Sequence, residues 1–113
     1  MEARKTAITF KRALWPAVAG TGLMGTVVTT YDDLVRAFGQ PEACGDKSTV
    51  EWIIQFDEGV AATVYDWKTD VTPKSAYAWH IGGKNKRALE LVELCLADGA
   101  RTINRTPYSF FMM

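Results

Sequence analysis

"TVEWIIQFDEGVAATVYDWK", residues Thr49 to Lys68, carries the clearest strand signal in the chain. Val50, Trp52, Ile54 and Phe56 alternate with Glu51, Gln55 and Asp57, and Ile53 is the single apolar residue on the polar side. Period-two alternation of this kind predicts a strand with one buried face. Asp57-Glu58-Gly59 follows, a turn whose glycine permits the positive φ that tight hairpins require. The return strand places Val60, Ala62 and Val64 on one face and Ala61, Thr63, Tyr65 and Trp67 on the other. An antiparallel hairpin is therefore the centre of the expected fold.

Upstream, "TTYDDLVRAFGQP" (Thr29–Pro41) reads as a short capped helix. Thr30 is the expected N-cap, and Asp33 completes a capping-box-like pair. Tyr31, Leu34, Val35 and Phe38 share a face, Gly39 stands at the C′ position, and Pro41 prevents continuation. Before it, "TAITFKRAL" can form a short strand and "GTVVTT" from Gly25 a second, with Pro16, Gly20, Gly22 and Gly25 interrupting regular structure between them. "QPEACGDKS" from Gln40 reads as a loop. Downstream, "AYAWHI" from Ala76 predicts a third strand of the main sheet, with Tyr77, Trp79 and Ile81 on one side. A closing helix is expected from about Asn85 to Asp98, striped by Ala88, Leu89, Leu91, Val92, Cys95 and Leu96 and stopped at Gly99. The order β-α-β-β-β-α predicts an α+β domain: a small antiparallel sheet of three to five strands with two helices packed on one face. Residues 1–113 are expected to form this single domain, with an irregular segment over 1–25 and a tail over 100–113. The tail, ending Phe110-Phe111-Met112-Met113, is expected to be an edge strand or to pack on the core or on a partner subunit.

The 113 residues carry thirteen basic and thirteen acidic side chains. A zero balance supplies no global field toward nucleic acid or an anionic membrane, so charge-driven recognition must be local. Cys44 and Cys95 lack metal-ligand or CxxC spacing and read as free thiols of a reducing compartment. No metal site and no cofactor are expected. The stretch "ALWPAVAGTGLMGTVV" (Ala13–Val28) follows Arg4, Lys5, Lys11 and Arg12. Pro16 and three glycines break it, so it reads neither as a signal peptide nor as a membrane span, and a cytoplasmic protein is expected.

Three segments together carry a family resemblance: "TTYDDLVRAFGQP", "EWIIQFDEGVAATVYDWK" and "WHIGGKNKRALELV". In this order and spacing the chain resembles a widespread set of small bacteriophage-encoded proteins. These share a TYDDLV–xFG–P helix, an EW–FDDG–ATIYDWK hairpin and a W–[HN]–[IV]GG–[KH] strand end. The likeness covers Gly25 to Leu96. It departs at Glu58, where an aspartate is usual, at Val64, where isoleucine is, and at Asn85, where many members have serine. The resemblance implies a phage origin, residence in the host cytoplasm, and a counter-defence or host-takeover role exercised by binding. It brings no catalytic residue set with it.

The residues themselves offer candidate sites. Gly82-Gly83 precede a helix start surrounded by Lys84, Lys86 and Arg87. Free helix N–H groups there, with glycines admitting close approach, would receive a phosphate, a nucleotide or an acidic side chain. The competing interpretation is a plain turn with solvated cations and Asn85 as N-cap. The spacing is not that of a P-loop, so nucleotide hydrolysis is not implied. Tyr65, Trp67, Tyr77 and Trp79 share a face in the simplest register and could stack a ring, against the more common fate of such aromatics in a core or an interface. His80, the only histidine, could pair with Asp66 in acid–base chemistry or be structural. Glu51, Asp57 and Glu58 read as a solvated strand edge and turn. The expected function is non-enzymatic binding of an anionic nucleotide-like ligand or a host defence protein, with self-association into a homo-oligomer. Alternatives are a small nucleic-acid module using the aromatic face and an enzyme using His80 and Asp66.

Overall fold

The computed structural model describes residues 8–14, 18–45, 47–97 and 102–104. Seven strands and two helices follow in the order β1 (Ile8–Arg12), β2 (Gly22–Thr29), α1 (Tyr31–Phe38), β3 (Glu42–Ala43), β4 (Val50–Phe56), β5 (Ala61–Tyr65), β6 (Tyr77–Gly83), α2 (Lys86–Ala97) and β7 (Thr102–Asn104). They build one sheet in the order β2-β6-β5-β4-β1-β7, with β3 also pairing β4. All pairings are antiparallel except that of β7, which runs parallel to β1 at the edge. The α+β class and the two helices are as the sequence predicts. The two-residue β3 lies inside the segment read as a loop, and the tail contributes β7 as an edge strand. Gly99 and the Phe110–Met113 end lie outside the described residues.

The hairpin forms as its pattern requires. Trp52 pairs with Val64 and Ile54 with Ala62. Phe56 N–H donates to Val60 O at 2.8 Å and Gly59 N–H to Phe56 O at 2.9 Å, with Gly59 at φ 86°. This is a three-residue hairpin loop whose last residue takes the left-handed conformation. Strand β2 begins at Gly22, earlier than Gly25, because a bulge between Leu23 and Gly25 lets it stay paired with β6. A bulge absorbs one extra residue without losing the register beyond it.

Helix α1 is capped as expected at both ends. Thr30 Oγ1 accepts from Asp33 N–H at 3.1 Å, and Gly39 N–H donates to Val35 O at 2.8 Å. The Asp33 carboxylate does not return to the Thr30 amide; it accepts from Thr29 Oγ1 and Arg36 instead. Those two donors hold its carboxyl below the ordinary range, Arg36 contributing most.

Both helices cover one sheet face. The core there joins Leu34 and Phe38 of α1, Leu91, Val92 and Cys95 of α2, and Trp52, Ile54, Phe56, Val64, Trp79 and Ile81 of the sheet. Trp52 and Trp79 meet edge to face at 5.6 Å. Their indole N–H groups donate to backbone carbonyls flanking α1, Trp52 to Gly39 O at 2.7 Å and Trp79 to Thr29 O at 3.1 Å. Arg12, largely buried, adds donors to Phe38 O and Gln40 O, satisfying carbonyls at the helix C-terminus. Burial lowers its guanidinium pKa, which Glu42 partly offsets.

Replacing Trp52 by alanine removes a fully buried ring and leaves Gly39 O without its donor. A destabilisation of about 3–5 kcal/mol is expected in urea unfolding. Trp52→Phe, which keeps most of the volume and loses the donor, should cost distinctly less.

Candidate functional site

Strand register decides which side chains can act together. Tyr65 of β5 stands opposite His80 of β6, and Val64 opposite Ile81. Tyr65 and His80 therefore share the sheet face opposite the helices, whereas Tyr77, Trp79 and Ile81 point to the core side. The four aromatics expected to share one face are split. Tyr77 and Trp79 pack on each other at 5.1 Å inside, and Trp79 is completely buried and unable to touch a ligand. Outside, Tyr65 packs on Trp67 at 6.2 Å and on His80 at 5.4 Å.

The Gly82-Gly83 step is not a turn but the end of β6, and its glycines are explained by packing. A Cβ on Gly82 would lie 2.6 Å from Thr63 Cγ2, and one on Gly83 would lie 2.4 Å from Ala88 Cβ. The space expected to admit an anion is filled by the protein. The helix start is closed as well: Arg87 N–H donates to Asn85 Oδ1 at 2.9 Å, the N-cap arrangement. Arg87 is clamped by both oxygens of Glu58, at 2.9 Å each, and by Glu90 at 3.2 Å. Lys86 donates to Met24 O at 2.9 Å. Lys86 and Arg87 are thus engaged separately, Lys84 is exposed, and the three frame no common pocket among the described residues.

Asp66 and His80 do not form a pair. Asp66 is buried and accepts from Thr49 N–H and Thr49 Oγ1, both at 2.7 Å, from Val50 N–H at 3.3 Å and from Thr69 Oγ1. Burial alone would raise its carboxyl pKa, but these donors outweigh it and hold the group below the ordinary carboxylate value. Its role is to fasten the β5–β6 connection to the start of β4. His80 Nδ1 is buried and has no hydrogen-bond partner among the described residues.

What the outer face does contain is a groove of about 500 Å³ across β4, β5 and β6. Its lining includes the buried or half-buried Glu51, Thr63, Tyr65 and Gly82 and the exposed Trp67 and Lys47, which form its rim. Register places Glu51 beside Tyr65 and Thr63 beside Gly82. Glu51, read from the sequence as a solvated edge residue, is half-buried here. Its Oε2 accepts from Thr63 Oγ1 at 2.6 Å and its Oε1 from Cys44 Sγ at 3.5 Å. Burial first, and then the negative charge and hydrogen bond of Glu51, push the Cys44 thiol up to about 11. Burial and then Glu51 likewise raise the Tyr65 phenol. Both groups stay protonated at neutral pH, so the groove offers one carboxylate among neutral donors, an indole 42% exposed, and a rim ammonium. A second lysine, Lys68, lies 5.9 Å over the Trp67 ring.

Scans against protein-family models, curated proteins and solved structures each found no match to this chain. Of the candidates chosen from the sequence, Tyr65, Trp67 and Gly82 line the groove and His80 lies against its aromatic pair. Gly83, Lys84, Lys86, Arg87 and Trp79 lie elsewhere. Glu51, Lys47 and Cys44 were missed; the only signal for Glu51 was its place directly across from Tyr65 in the hairpin. Among the described residues no group of histidine, cysteine and acidic side chains could hold a metal, and no helix is long and apolar enough to cross a membrane.

Asp66 makes stability depend on pH. Its carboxyl is depressed in the folded state, so its contribution is complete above the unfolded value near 3.9 and is lost as pH falls through the folded one. Asp66→Asn should cost roughly 2 kcal/mol or more at pH 7. The difference from wild type should shrink in thermal melts carried below pH 4.

Proposed function

We propose that the chain is a non-enzymatic, phage-encoded accessory protein that acts in the host cytoplasm by capturing a nucleotide-like anion in the outer-face groove. The observation that carries this reading is the groove itself: an exposed indole and a phenol for a ring, a carboxylate for ring N–H groups, and Lys47 for a phosphate. Its volume is within the range typical of small-molecule sites. A phosphate at the rim would meet a cation in water, where the attraction is modest, so affinity must come chiefly from stacking and desolvated hydrogen bonds. Binding rather than turnover is favoured because Asp66 is committed to Thr49, Val50 and Thr69, leaving His80 without a carboxylate partner among the described residues, and because the nearby thiol is held protonated.

The resemblance to phage proteins supports a counter-defence role, in which sequestering a nucleotide signal or occupying a host defence protein would both protect the phage. Self-association belongs to the same proposal. Among the described residues strand β2 is a sheet edge, it has no charged residue or proline, and its Leu23 and Val28 are 56% and 70% exposed. Edges of this composition invite pairing with another strand.

Isothermal titration with linear and cyclic nucleotides should give heat with at least one, and Trp67→Ala should weaken that binding by about 10-fold or more, the worth of one stacked base. Lys84→Glu, at the cationic turn, should leave it unchanged. Absence of heat with every nucleotide, or loss of binding in Lys84→Glu but not Trp67→Ala, would remove the groove from consideration.

A further inference from the structure

We infer that Glu51 makes the groove selective for guanine among the nucleobases. The inference rests on the nucleotide reading of the groove and adds which base it takes. An ionised carboxylate has about four lone-pair positions on two oxygens. Here one oxygen is committed to Thr63 Oγ1 and the other to Cys44 Sγ, so each oxygen retains capacity for one further donor. Both oxygens belong to a side chain that lines the groove beside Tyr65.

Only one nucleobase answers such a pair. The Watson–Crick edge of guanine presents N1–H and one N2–H as adjacent parallel donors. Adenine offers its amino group next to the N1 acceptor, and cytosine its amino group next to N3, so each sets a lone pair against a carboxylate oxygen. Uracil places N3–H between two carbonyls. A site that holds a charged acceptor rejects such rings strongly, because the acceptor is desolvated and left unpaired or opposed. Thr63, Cys44 and Tyr65 cannot relieve that opposition by taking the charge, since the thiol and the phenol are both held protonated beside Glu51.

A guanidinium group also carries two parallel donors and can lie on an indole, so an arginine from a protein partner is the rival occupant. The charge around the groove favours the nucleotide. Lys47 lines the rim and Lys68 lies over Trp67, which would repel a cation and would attract the phosphate that a guanine nucleotide carries.

The test is titration of the full chain with GMP, IMP, AMP, CMP, UMP and arginine amide, for wild type and Glu51→Gln. Wild type should bind GMP tightest, with AMP, CMP and UMP weaker by roughly 10- to 100-fold, the discrimination of one bidentate pair. IMP, which keeps N1–H and lacks the N2 amino group, should fall between them; this comparison needs no variant. Glu51→Gln should reduce GMP to the level of the other bases. Equal or tighter binding of AMP would overturn the guanine assignment and leave nucleotide capture standing. Arginine amide binding as tightly as GMP would overturn it in favour of a peptide partner. No binding by any mononucleotide would bring down the assignment and the nucleotide reading together.

Discussion

Two indole N–H groups hold helix α1 against the sheet by its two ends, and the side-chain parity of the central strands goes with them. Trp79 donates to Thr29 O just before the N-cap, Trp52 donates to Gly39 O at the C-cap, and the rings meet edge to face between these points. Each bond removes a buried polar group that would otherwise be unsatisfied, on both the ring and the backbone. With Trp52 and Trp79 fixed inward, strand parity leaves no freedom. Glu51, Tyr65 and His80, each next in sequence to an inward residue and paired across the strands with one another, must face the other way. The groove is thus a consequence of the core: the residues that line it and the residues that pack the core are interleaved on the same three strands.

How much of this was legible depended on whether the signal was local. The hairpin and helix α1 were readable because their determinants lie within a few residues: alternation from Val50 to Phe56, Gly59 at the loop, Thr30 and Gly39 at the caps. The pairing of β5 with β6 was not, because the connection from Asp66 to Ala76 is long enough to permit either parity. The observed register sets Tyr65 against His80 and Val64 against Ile81, and nothing near Tyr77 announces this. The consequence was the mistaken grouping of Tyr77 and Trp79 with Tyr65 and Trp67. Glu51 was missed for a related reason: in an alternating strand it looks like any solvent-side residue, and only Cys44 and Thr63 around it show otherwise.

The cationic stretch after β6 shows how a plausible local pattern can be emptied by tertiary contacts. Glycine pairs before a helix admit anions when the space over the backbone is open. Here Thr63 and Ala88 occupy that space, so the same absence of Cβ atoms serves close packing of strand on strand and of helix on strand. Arg87 is spent on the hairpin turn through Glu58, a contact between residues far apart in sequence. It cross-links the β4–β5 loop to the start of α2. As an exposed pair it adds little stability, but it directs the guanidinium away from any ligand.

The chemistry of the groove turns on Cys44 and Tyr65, whose protons are held more tightly than usual beside Glu51. Glu51 is the acceptor, and its presence is one reason that Cys44 and Tyr65 remain protonated. A thiol held near 11 contributes almost no thiolate at neutral pH, and a neutral phenol cannot serve as a base. A cluster that suppresses its own nucleophiles in this way is poorly arranged for bond-making. It is well arranged for recognition, because its donors and acceptor are preset and need not reorganise when a ligand displaces water. Fixed polarity beside an exposed indole gives orientation together with stacking energy. In the proposed function that combination would select a ligand by the pattern of its ring edge more than by its charge, as a chain of zero net charge requires.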